Sequence, residues 1–226
     1  VIPSGVPVLE HNSEHNGPLR LVYVGRLVQK QKRILDLIEG LSLLMGIHSE
    51  ITATLIGDGP DRQAVQQQID HYNLNDRIQI SGTVASEDIQ ATLAKHHVLV
   101  LLSDYEGTPG AVMDGMAAGL VPVCLDIPGG VRELVSHENT GLLVKDRSQS
   151  FIEAIGRLSE DKGLRRKLAA NAKQHIIKNY SLSIAVDRWE SFCLELLKEA
   201  NERKPLAIPS KYCLPPVRPG LDREDR

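Results

Sequence analysis

The stretch VLVLLSDYEGTPGAVMDGMAAGLVPVCLD, residues 98–126, decides the fold. It joins two aliphatic runs, VLVLLS (98–103) and VPVCLD (121–126), through one glycine-punctuated segment with apolar residues at helical spacing. Short aliphatic runs without polar alternation read as strands buried on both faces, as in parallel sheets covered by crossover helices. In the connecting segment, Thr108 suits an N-cap. Pro109 suits the first helical position, where its missing N–H leaves nothing unpaired, and Gly119 suits a left-handed C-cap.

The same alternation continues outward. Towards the N-terminus stand LRLVYVG (19–25), ITATLIG (51–57) and RIQISG (77–82) as strands. They are separated by RILDLIEGLSLLM (33–45), PDRQAVQQQIDHY (60–72) and SEDIQATLAKH (86–96) as helices, the last with Ser86 as N-cap. Towards the C-terminus come a short helix, GVRELV (130–135), and a last strand, TGLLVK (140–145). Strict βαβα order predicts an α/β fold with a doubly wound, Rossmann-like parallel sheet. After residue 147 the strands stop. SQSFIEAIGRLSED (148–161), LRRKLAANAKQHIIKNY (164–180) and SIAVDRWESFCLELLKEANERK (183–204) form three C-terminal helices. From Pro205 the chain carries five prolines and few apolar side chains, and reads as disordered or as a docking extension.

Composition agrees. With 226 residues, 42% of them hydrophobic but only two Phe and one Trp, the chain can build one aliphatic core. A net charge of −3 gives no global field for nucleic acid or an anionic membrane, and the apolar runs are too short to span a bilayer. No signal peptide is read at the start. Cys124, Cys193 and Cys213 are odd in number and lack CxxC spacing, which predicts ordinary thiols in a reducing compartment. The opening VIPSGVPV, without Met, reads as mid-protein, so a fragment or processed product is expected.

In doubly wound sheets ligands sit outside the carboxyl ends of the strands, so the loop DYEGTPG (104–110) is expected on the binding edge. The helix that follows points its positive end and free N–H groups into that crevice, an anion site of phosphate size. Gly107 and Gly110 leave room for a ligand against the backbone. Glu106 on the loop and Asp114 on the helix would repel an anion, so they fit better as acceptors for hydroxyl groups at its two ends. Taken alone, the pair has an equally ordinary reading, with Glu106 favouring the helix dipole and Asp114 on a solvated face. Arg26, after the strand ending at Gly25, and Lys32 form a second anion-binding element able to grip two phosphates. A hydrated cationic helix entry is the commoner fate of a run such as QKQKR. Further basic and aromatic residues are missing nearby, which argues against nucleic acid.

GDGPDR (57–62) departs from G-x-G-x-x-G at Arg62, and RIQISG ends without the acid a dinucleotide site needs, so NAD is rejected. The GDGP turn lies at the same sheet edge, as a ligand contact or only as a turn. The eight histidines are scattered, and His96-His97 reads as structural. Neither metal-ligand spacing nor a G-x-S-x-G elbow is found.

In order, VGRLVQKQKRILDLIEGL, TLIGDGP, IQISGTV, SDYEGTPGAVMDGMAAGLVPVCLDIPGGVRELV and TGLLV resemble the C-terminal half of family 4 (group 1) glycosyltransferases of the GT-B fold. The similarity covers roughly residues 1–197. It implies a linker over 1–17 from a missing N-terminal domain, a nucleotide-sugar donor domain over 18–200 and a tail over 201–226. It further implies retaining transfer from a nucleoside-diphosphate sugar, with no cofactor and no metal. By the same resemblance, Arg26 and Lys32 match the basic pair on the donor diphosphate. Glu106 matches the first acid of the E-x7-E motif, on the donor sugar, and Asp114 the second, on the ribose. Gly25 permits close approach, the turn Gly107-Thr108-Pro109-Gly110 lies under the phosphates and sugar, and Val84 marks where the backbone meets the base. Arg26, Lys32 and Glu106 would be the catalytic set.

Two departures stand out. Asp114 is one methylene shorter than the usual Glu, and Arg26 and Lys32 are one residue further apart than in the commonest pattern. The implied acceptor is a glycan, a lipid or a small molecule held mostly by the missing half, with transfer expected only once that half is supplied. The implied setting is cytoplasmic, with any contact to the membrane face made through the missing half. Two rival readings are a non-catalytic nucleotide-sugar binding module and a nucleotide-sugar epimerase of GT-B architecture.

Overall fold

In the computed structural model residues 4–8 and 17–202 are described. Six strands, β1 (Arg20–Val24), β2 (Thr52–Ile56), β3 (Ile78–Gly82), β4 (Val98–Leu101), β5 (Val121–Leu125) and β6 (Leu142–Val144), form one sheet in the order β3-β2-β1-β4-β5-β6. Every neighbouring pair is parallel. All residues of β4 and β5 are buried, as their unbroken aliphatic runs require. The strand order reverses between β1 and β4, so the chain leaves these two strands in opposite directions and a crevice opens at their carboxyl ends.

The helices are α1 (Gln29–Lys32), α2 (Ile34–Ile47), α3 (Arg62–His71), α4 (Ile89–Leu93), α5 (Gly110–Ala117), α6 (Gly130–Leu134), α7 (Gln149–Glu160), α8 (Lys162–Asn179) and α9 (Leu182–Glu202). Helix α5 lies close on β4 because residue 115 is glycine: a Cβ there would stand 2.8 Å from Leu99 Cδ1. Gly119 ends α5 as expected, at φ 83°, with its N–H on Met116 O and that of Leu120 on Gly115 O.

Three local expectations are corrected. The basic entry to the first long helix is itself a helical turn, α1, and Arg33 in left-handed conformation (φ 53°) separates it from α2. Gln29 makes this break possible, because its side-chain oxygen accepts the Leu35 N–H in the first turn of α2. Thr108 is not an N-cap. Pro109 occupies that position with ψ 89°, and α5 begins at Gly110. The preceding loop is held from the other side by Gly130, whose backbone lies so near that a Cβ would overlap Gly107 O. Ser86 caps nothing either; Asp88 precedes α4, without a side-chain cap bond.

The chain divides into two compact units, Val1–Arg188 and Trp189–Arg226, with the division inside α9. In the first, Val6 pairs with the entry to α9: its N–H donates to Tyr180 O and its O accepts the Leu182 N–H, at 2.9 and 3.0 Å. The expected linker is described only at 4–8 and at Gly17; of the expected tail, residues 201–202 instead end α9, and the part from Pro205, with Cys213, lies outside the described residues. In the second unit, Trp189 and Phe192 meet edge to face and are 52% and 42% exposed. Cys124 is a buried free thiol and Cys193 an exposed one. Among the described residues no helix is long and apolar enough to cross a membrane.

Candidate functional site

The loops after β1 and β4 face each other across the switch point, and two ion pairs join them, a closely held one between Lys32 and Glu106 and a longer, more exposed one between Arg33 and Asp104 at 3.7 Å. Lys32 Nζ donates to Glu106 Oε1 at 2.6 Å, with only 15% and 8% of the two side chains exposed. Gln31 clips the same loops together. Its O accepts the Asp104 N–H at 3.0 Å, its amide donates to Tyr105 O at 3.1 Å, and its Oε1 accepts from Arg26 at 3.4 Å. Asp104 also takes hydrogen-bonded charge from Arg147, whose Nε donates to Leu102 O at 2.8 Å. The acid-bearing loop is therefore fixed at Leu102, Asp104, Tyr105 and Glu106 before any ligand arrives.

Tyr23 supports the basic side. Its buried ring sends the hydroxyl to Arg26 O at 2.8 Å. Burial pushes this phenol far above its ordinary range, with the Glu106 charge adding to the rise, so it serves as a fixed hydrogen-bond donor. The GDGP turn closes against the same loop. Gly25 N–H donates to Ile56 O and Leu27 N–H to Asp58 O, and a Cβ on Gly57 would overlap Gly25 O.

Beside this knot lies a cavity of about 590 Å³, a volume suited to a small organic ligand. Of the residues marked in the sequence, Gly25, Arg26, Val84 and Asp114 line it. Lys32 and Glu106 are brought together by their own pair and tied to Arg26 through Gln31. Around Gly107 and Gly110 there is open space at the Cβ positions, while Thr108 is exposed and Pro109 buried. The first amides of α5, at Gly110 and Ala111, make no backbone hydrogen bond among the described residues. They form a donor pair at the positive end of the helix.

Asp114 is held differently from Glu106. Burial raises its carboxyl above the ordinary value, and hydrogen bonding from Gln90 opposes that rise. Gln90 Nε2 lies 3.3 Å from Asp114 Oδ1 and 3.2 Å from Asp114 O. His96 and His97 are engaged in structural bonds, His96 with Thr92 O and Thr54 Oγ1, His97 Nδ1 with the Arg20 N–H. Among the described residues, no cluster of three or more His, Cys, Asp or Glu is placed to hold a metal ion.

Residues 9–175 match the family model described as glycosyl transferases group 1. The chain belongs to the group 1 glycosyltransferases. This group 1 chain is 30% identical over 169 residues to alpha-D-kanosaminyltransferase of Streptomyces kanamyceticus, covering 74% of this chain and 43% of that protein. It spans under half the length of that relative. Its fold is similar to that of TarM from S. aureus, solved with fondaparinux, alpha-GlcNAc-glycerol and UDP, at a TM-score of 0.72, 22% identity, 82% of this chain and 38% of that one. It is also similar to the C-terminal domain of the group 1 protein LpcC from Francisella tularensis, at a TM-score of 0.67 and 22% identity, over 78% of this chain and 96% of that one. Both likenesses are of fold, that of one Rossmann-like half of a GT-B glycosyltransferase.

Gly57 and Asp58 line the cavity, so the GDGP turn, read as a ligand contact or only a turn, stands at its wall. Sequence reasoning left several other residues around the cavity of this group 1 chain unmarked. Ser86 and Thr83 line it as well, and so do Gly5 to Pro7 from the segment read as a linker. Gln31 is hidden in a basic run, where the charges draw attention. Gln90 had a signal: it is a polar residue at a buried helical position, three before Leu93.

Proposed function

We propose that this chain is the donor-binding half of a retaining glycosyltransferase that uses a nucleoside-diphosphate sugar. The observation that carries the reading is the Lys32–Glu106 pair bridging the switch point beside a cavity that Arg26 and Asp114 line. A donor needs cationic groups for its diphosphate and fixed acceptors for its hydroxyls, and these lie side by side here. The UDP with which TarM was solved supports a nucleoside diphosphate as the ligand class.

In this reading the nucleoside fills the cavity, with the base against the backbone at Val84 and the ribose at Asp114. The diphosphate lies over Gly107–Gly110, against Arg26, Lys32 and the Gly110 and Ala111 amides. Pro109 has no N–H to contribute. As the bond to the anomeric carbon breaks, its electron pair leaves with the β-phosphate, and Arg26 and Lys32 stabilise the growing negative charge without a metal ion. Glu106 orients the sugar and supports positive charge at the reacting carbon. The acceptor, a glycan, lipid or small molecule, is proposed to bind an N-terminal GT-B domain that completes the enzyme, and transfer requires that domain.

Calorimetric titration of the chain with UDP, GDP and ADP tests the reading. One nucleotide should bind, and Lys32→Ala should weaken it. Absence of binding at millimolar concentration of all three overturns the assignment of the cavity.

A further inference from the structure

Helix α4 contributes one polar side chain to the core, Gln90, which is 3% exposed. Its two ends fare differently. The amide nitrogen donates to both Oδ1 and the backbone O of Asp114. The carbonyl oxygen Oε1 is buried with no partner among the described residues. Turning the amide over would set that carbonyl against the Asp114 carboxylate and strand the NH2 group instead, so chemistry selects the orientation observed. A buried acceptor without a partner is destabilising, and a Met of nearly the same shape would remove it. The fold alone therefore gives no reason for Gln at this position; the reason lies in what its donor end holds.

We propose that Gln90 is the positioning residue for Asp114. By gripping the side-chain oxygen Oδ1 and the main-chain carbonyl of one residue together, it fixes the Asp114 side-chain rotamer. Oδ2 is left for a ligand hydroxyl in the cavity that Asp114 lines. An Asp reaches one methylene less far than a Glu and has little slack, so a fixed rotamer decides whether it meets the hydroxyl at all. Burial raises its carboxyl and the Gln90 amide opposes that rise, so this amide favours the ionised, accepting form. The inference rests on the donor reading above, in which Asp114 receives the ribose hydroxyls.

The test compares UDP, GDP and ADP with their 2′,3′-dideoxy counterparts on the full chain, by calorimetry. Hydrogen bonds from the ribose to a carboxylate should favour the ribonucleotide by about tenfold to a hundredfold in the wild-type chain. Asp114→Ala should reduce that ratio to near unity. Gln90→Met should still unfold in one cooperative transition well above the assay temperature and yet bring the ratio within about threefold, through weaker ribonucleotide binding. Gln90→Glu, which sets a second carboxylate against Asp114, should lower the ratio at least as far. If Gln90→Met keeps the wild-type ratio while Asp114→Ala loses it, the positioning role is wrong and the donor reading stands. If the wild-type chain shows no ratio, or Asp114→Ala keeps it, the placement of ribose at Asp114 fails and this inference falls with it.

Discussion

Lys32→Ala should destabilise the fold as well as the site. The ammonium and carboxylate are 2.6 Å apart and only 15% and 8% exposed. An exposed pair is worth about 0–1 kcal/mol, whereas stripping one partner from a buried pair costs about 3–5 kcal/mol because the other charge is left uncompensated. At this burial the loss for Lys32→Ala falls between those limits, at about 2–3 kcal/mol. The reverse change is milder. With Glu106→Ala the long Lys32 side chain swings its ammonium to water, for about 1 kcal/mol, an escape the short carboxylate does not have. The double variant should cost less than Lys32→Ala alone, since no charge is then stranded. Urea titration of the four proteins, followed by circular dichroism at equal m, measures these differences. In thermal melts they correspond to a fall of roughly 4–12 °C for Lys32→Ala in a chain of this size. A Lys32→Ala protein within about 0.5 kcal/mol of wild type, or losses that simply add in the double variant, would refute the claim that this pair joins the two loops.

Two further outcomes follow from the acids. Glu106→Gln removes a negative charge beside the proposed diphosphate and frees Lys32 to meet it, so the nucleoside diphosphate should bind about tenfold tighter; equal or weaker affinity by calorimetry would contradict the arrangement. Asp114→Asn should stabilise the fold at pH 7. Burial raises the Asp114 carboxyl above 3.8, so the native chain holds a proton that the unfolded chain gives up, and ionisation costs stability as pH rises through the folded value. The gain from Asn should therefore be full above that value and gone below 3.8; a gain independent of pH would show that the charge is not its source.

Strand identity was legible because VLVLLS, VPVCLD and LRLVYVG have the unbroken aliphatic character that only a sheet covered on both faces can bury. The expected helices at 60–72, 148–161 and 164–180 were legible from apolar spacing of helical period. The glycines, the two bases and the two acids at the strand ends marked the edge where the candidate site lies, because loops there carry whatever chemistry the sheet positions. Local chemistry alone misread Thr108 and Ser86 as caps. Both have the right side chain, but the backbone near Thr108 is set by contact with Gly130, nearly a full βα unit away in sequence, and the backbone near Ser86 follows the cavity wall.

Tertiary structure alone decided which of these groups meet. Lys32 and Glu106 are 74 residues apart, and Gln90 and Asp114 are 24 apart. Sequence spacing says nothing about either pair, because both arise where separate loops and helices converge on one sheet edge. The strand order β3-β2-β1-β4-β5-β6 makes β1 and β4 neighbours and so brings the first pair together. The chain's own residues determined the elements and the chemistry available at their ends. Crossing two βα units through a single reversal of strand order turned that chemistry into a site.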